Sequence, residues 1–107
     1  MTSAPVLVTE AAGIVSITIN RSEARNSLNS QTIKLLTEAF AGVATNSLAR
    51  CVVLSGAGTE AFCAGADIAE LVNNPSPSAR RAFFDSIASL IETINLCPVP
   101  VVARVHG

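Results

Sequence analysis

The sequence has no tryptophan, no tyrosine and a single histidine, and only 14% of its residues are charged, against about 25% in an ordinary soluble domain. Without those two aromatic types there is little to stack on a nucleobase. With a net charge of −1 and Arg80-Arg81 as the sole adjacent basic pair, a nucleic-acid partner is not expected. The three cysteines, Cys51, Cys63 and Cys97, are odd in number and lack CxxC spacing, so neither a disulfide framework nor a metal site is indicated. They read as small buried apolar residues. No apolar run reaches the roughly 18 residues of a membrane span. The start "MTSAPVLVTEAAG" has neither the basic opening nor the long apolar stretch of a secretion signal. No membrane partner is expected, and the expected location is the cytoplasm.

What the sequence has in quantity is apolar surface: half of its 107 residues are hydrophobic. A chain this short buries only about 60–65% of its unfolded surface. Some faces must therefore be covered by something else, through oligomerisation or because the chain is part of a larger fold. No repeat or composition shift divides residues 1–107, which read as part of a single domain.

The apolar pattern changes period along the chain. "VLVTEAAGIVSITIN" reads as a hairpin, with a strand over 6–9, a turn closing on Gly13, and Val15, Ile17 and Ile19 alternating with polar residues. Ile33, Leu36, Phe40 and Val43 recur at helical spacing behind the capping candidates Asn29 and Ser30. "CVVL" at 51–54 lacks alternation, as a parallel strand covered on both faces would. After the breaker-rich "NNPSPS", Phe83, Ile87, Leu90, Ile91 and Ile94 form the stripe of a long amphipathic helix stopped by Pro98 and Pro100, and "VVARV" at 101–105 is a last strand. The fold class is α/β.

Between the third strand and the long helix lies "FCAGAD" at 62–67, a run with almost no side-chain bulk. "DIAE" at 67–70 has the form of a capping box, with Asp67 as N-cap and Glu70 three residues on. Backbone N–H groups near such a start favour negative charge, and Ala64, Gly65 and Ala66 leave room for a planar acyl group to approach them. The plainer alternative is that small residues merely let a helix pack closely on a strand. A second pattern, "GAGTEA" at 56–61, fits GxGxxA after a strand. A dinucleotide fingerprint opens directly into a helix, whereas the helix signal here comes several residues later, so NAD is not the expected ligand.

Together, "INRSEARNSLN" (19–29), "AFCAGADIAEL" (61–71) and "CPVPVVARVHG" (97–107) resemble the crotonase superfamily, the enoyl-CoA hydratase and isomerase family, in order and over nearly the whole chain. The resemblance implies the crotonase-like spiral of strand–helix repeats, incomplete at its C-terminal end. It implies that Glu23, Ala24 and Arg25 lie along coenzyme A, mostly through their backbone. It also implies that Ala66 supplies a backbone N–H to the oxyanion hole, and that Ala64, Asp67 and Ile68 line the acyl and pantetheine path. The alternative is that Arg21, Glu23 and Arg25 are ordinary solvated charges of a turn. The family's second donor, a glycine, and the hydratase glutamates fall beyond the position of Gly107, so the residues given are expected to lack the acid/base pair. Cys97, Pro100, Arg104 and His106 depart from the residues usual at their positions.

The implied function is an acyl-CoA thioester-binding enzyme, a hydratase or isomerase working through an enolate. It needs no cofactor beyond the coenzyme A its substrate carries, and it assembles as a homotrimer or hexamer. The alternative is a non-catalytic acyl-CoA-binding or assembly-forming relative, or an inactive fragment. His106 reads as a turn residue rather than a base. Asp85 and Glu92 read as a solvated face, and Ser55 and Ser86 have no base partner in sequence context.

Overall fold

The computed structural model describes residues 4–107. Four strands form one sheet in the order β1 (Val6–Ala11), β2 (Ile14–Ile19), β3 (Cys51–Gly56), β4 (Val101–Arg104). β1 and β2 pair antiparallel from Val6 opposite Ile19 to Ala11 opposite Ile14. The two residues between them, Ala12 and Gly13, have φ of 53° and 84°, the doubly left-handed geometry whose twist matches a two-residue hairpin. β2–β3 and β3–β4 are parallel, which requires crossovers. The first contains α1 (Ser30–Val43); the second contains α2 (Ile68–Asn73) and α3 (Pro77–Asn95).

Each helix starts where a side-chain oxygen can take an orphan N–H. Asn29 accepts from the Thr32 N–H at 2.9 Å and Ser76 from the Ala79 N–H at 3.1 Å, with Pro77 in the first turn of α3, where its missing donor costs nothing. α3 thus begins inside the breaker-rich segment rather than after it.

Val15, Ile17 and Ile19 on β2 and Val52 on β3 share one face of the sheet. They form the core with Ile33, Leu36, Phe40 and Val43 of α1 and Phe83 and Leu90 of α3. Two sequence expectations need correction here. β3 is covered on one face only: Val52 is buried, while Cys51 and Val53 are half-buried. On that second face Thr18 and Ser55 meet through their hydroxyls at 3.3 Å, and Ile14 is 43% exposed. Nor is the α3 stripe uniformly inward, since Ile91 stands 54% exposed beside buried Leu90. Cys51, Cys63 and Cys97 are free and half-buried, the latter two against the core. Among the described residues no helix is long and apolar enough to cross a membrane.

Candidate functional site

The chain leaves β2 through a 3-10 turn at Ser22–Ala24, then passes Arg25 and Asn26 in the left-handed region, with φ of 54° and 57°. Asn tolerates this conformation better than most residues, and here it is fully buried. Its Oδ1 accepts from the Arg21 N–H at 2.9 Å, and its Nδ2 donates to Ala57 O at 2.9 Å and Ala61 O at 2.8 Å. One amide side chain therefore ties the turn after β2 to both ends of the loop after β3. Gly56 makes the approach possible: a Cβ there would lie 2.2 Å from Phe62 O and 2.8 Å from Asn26 Nδ2.

Once the two loops are joined, their backbones zip. Ala64 N–H donates to Arg25 O at 3.0 Å, Leu28 N–H to Gly65 O at 2.8 Å, and Asp67 N–H to Leu28 O at 2.9 Å, making a parallel bridge between Leu28 and Ala66. In such a bridge the bonds belong to the residues flanking Ala66, and its own N–H faces away from Leu28. That N–H pairs with no described residue. Gly65 holds φ 105°, and a Cβ on it would meet nothing within 4 Å. The backbone beside the Ala66 amide is bare toward open space.

Asp67 caps α2, accepting from the Ala69 N–H at 3.0 Å. The reciprocal half of the predicted capping box is absent, because the Asp67 N–H is taken by Leu28 O and the Glu70 carboxylate turns instead to α1. There it accepts from the Ser30 N–H at 2.7 Å and from the Ser30 hydroxyl. With six residues, α2 adds little macrodipole, so the electrostatics here belong to the peptide amide itself. Arg21, which the sequence offers as a solvated turn charge, has a side chain only 16% exposed. It reaches the equally covered Asp67 carboxylate at 3.2 Å and donates to the Ser27 carbonyl and to its hydroxyl at 3.2 Å.

The structure joins the two predicted segments through backbone, at Arg25 and Ala64, but not in one cavity. Glu23 and Arg25 border a concavity of about 400 Å3 with Asn26 and residues 57–61. Ala24 is half-buried and does not line it. Ala64 and Ile68 are exposed, Ile68 at 73%, while Ala66 and Asp67 between them are half-buried. A separate groove of about 500 Å3 between α1 and α3 holds none of the predicted residues. The "GAGTEA" stretch opens into no helix, since α2 begins at Ile68. His106 accepts from the Phe62 N–H through its carbonyl at 3.0 Å, so its main chain has a structural part. Asp85 sits beside Arg81 at 3.9 Å on the exposed side of α3. Among the described residues no three His, Cys, Asp or Glu side chains converge as a metal site would need. Sequence reasoning passed over Asn26, whose signal was an asparagine suited to a left-handed turn, and gave Gly56, Arg21 and Glu70 other parts, in a glycine pattern, a solvated turn and a capping box.

A family model described as enoyl-CoA hydratase/isomerase matches residues 9–107. A probable enoyl-CoA hydratase of Mycobacterium bovis is 39% identical over 101 residues, covering 94% of this chain and 38% of that protein. The short-chain-enoyl-CoA hydratase of Clostridium acetobutylicum is 32% identical, with 95% and 39% covered. The crystal structure of an enoyl-CoA hydratase from Mycobacterium smegmatis superposes with a TM-score of 0.93 at 36% identity, over 98% of this chain and 41% of that one. The chain spans about two fifths of the length of the curated relatives it matches, and its α/β architecture is that of the corresponding portion of the crotonase fold.

Proposed function

The chain belongs to the enoyl-CoA hydratase/isomerase family, and we propose that it forms the thioester-binding wall of an acyl-CoA enzyme whose Ala66 N–H polarises the thioester carbonyl. The carrying observation is that this amide has no partner among the described residues, while the two amides that form the bridge, those of Leu28 and Asp67, are paired. Hydration puts the water oxygen on C3 and a proton on C2 of a 2-enoyl thioester, and isomerisation moves a proton between C2 and C4. Both pass through an enolate whose charge gathers on the thioester oxygen. A donor fixed where that charge appears stabilises it more than it stabilises the substrate, and losing one such donor costs about 10²–10³ in rate.

In this reading Glu23, Ala24 and Arg25 follow the coenzyme A moiety, and Ala64, Asp67 and Ile68 follow the acyl and pantetheine path. Asp67 and Glu70 are both engaged in structural hydrogen bonds, so neither serves as the acid or base. Coenzyme A arrives with the substrate and no further cofactor is invoked. A homotrimeric or hexameric assembly fits the exposed apolar residues Val72, Leu96 and Val105, each about 70% accessible, and the cytoplasm stays the location expected from the sequence.

Calorimetric titration with butyryl-CoA and with its thioether analogue, which lacks the carbonyl, tests the assignment. Ala66→Pro removes the N–H and adds no group that can donate. The parent chain should prefer the thioester and the Ala66→Pro chain should lose that preference. Equal affinity of the parent for both ligands refutes the role of the amide.

A further inference from the structure

We propose that Arg21 and Glu70 are positioning residues that fix the direction of the Ala66 amide, a role resting on the function proposed above. α2 buries none of its six residues; Leu71 and the preceding Ala66 only touch the margin of the core. A helix so short has no stability of its own. Beyond the backbone bridge at Leu28 and Ala66, what holds it is side-chain contact from two directions. On one side the Arg21 guanidinium joins the Asp67 carboxylate to the Ser27 carbonyl and hydroxyl, a fork geometry that one planar group can satisfy and an ammonium cannot. On the other side the Glu70 carboxylate takes the first N–H of α1 and the Ser30 hydroxyl. Asp67 is the N-cap of α2 and Glu70 stands in its first turn, and the amide in question lies one residue before Asp67. Removing either strap frees the segment to rotate, while the core of β2, β3, α1 and α3 keeps its contacts.

The test compares the parent chain with Arg21→Ala, Arg21→Lys and Glu70→Ala. Amide hydrogen exchange is read at Leu28, Asp67 and Ala69, which donate the bonds around Ala66, and at Ile17 and Val52 in the core. The carbonyl stretch of bound carbonyl-13C butyryl-CoA is read in parallel. Loss of a strap should speed exchange at the first three amides about tenfold or more and leave the core amides within about threefold. The carbonyl band should return toward its frequency in water, with Arg21→Lys between Arg21→Ala and the parent. Local and core amides accelerating together, or a carbonyl band unmoved in the loosened variants, overturns the positioning role. A parent chain whose bound thioester shows no carbonyl shift overturns the function proposed above and this role with it.

Discussion

Replacing Asn26 with alanine probes the junction on which the site depends. The side chain makes three hydrogen bonds, all to backbone groups, in a residue with no solvent exposure. Each is worth about 0.5–1.5 kcal/mol net, and its loss strands a polar group that water does not readily reach. Alanine must also hold φ near 57°, which costs about 1–2 kcal/mol for a residue with a Cβ and no local hydrogen bond. Together these give a loss of about 4 kcal/mol, a large part of the roughly 5–15 kcal/mol typical of a small domain. In urea, where the slope for such a chain is about 1–3 kcal/mol/M, the midpoint should fall by about 2 M. Asn26→Asp separates hydrogen bonding from packing. It keeps shape, left-handed tolerance and the acceptor for the Arg21 N–H, but turns a carboxylate oxygen toward Ala57 O and Ala61 O. It should therefore be at least as unstable as Asn26→Ala. Urea unfolding followed by far-ultraviolet circular dichroism measures both. An alanine variant within about 1.5 kcal/mol of the parent, or a stable aspartate variant, refutes the reasoning.

Two further contrasts test the packing around this junction. Gly56→Ala would place a Cβ 2.2 Å from Phe62 O and should destabilise by about 3 kcal/mol or more, whereas Gly42→Ala in α1, with nothing within 4 Å, should stabilise by about 0.5–1 kcal/mol; thermal midpoints moving in opposite directions check the pair. Leu90→Ala, at a site 5% exposed, should cost about 2–5 kcal/mol and Ile91→Ala, at 54% exposure, less than about 0.5 kcal/mol, both read from urea midpoints.

The sequence made legible whatever follows from periodicity and local chemistry. The alternation through Val15, Ile17 and Ile19 gave β2 its buried face, and the helical spacing from Ile33 to Val43 gave α1 its stripe. Asn29 and Asp67 were readable as caps because a cap bonds within its own turn. What periodicity cannot carry is a partner 40 or more residues away. Glu70 satisfies the local form of a capping box yet bonds to Ser30, and Arg21 stands in a run of charges yet bonds to Asp67. For Glu70 the tertiary partner outcompetes the local one, whereas Arg21 holds the nearby Ser27 and the distant Asp67 together. The second face of β3 misled for a related reason: an apolar run records what a strand can bury, and only the assembled layers decide whether anything lies against it.

Small residues in and before the 62–67 stretch serve unlike ends, and the difference bears on function. Gly56 is small because the Phe62 carbonyl occupies the place of its side chain, which is a packing demand met inside the molecule. Gly65 has no such neighbour. Its φ of 105° excludes other residues on conformational grounds, while the space its side chain would enter stands open. If close packing of a helix on a strand were the purpose of the bare stretch, Gly65 would show the crowding that Gly56 shows. The open space at Gly65 instead lies next to the Ala66 amide, which is unpaired among the described residues. A planar carbonyl needs both to come within hydrogen-bond distance of a peptide N–H.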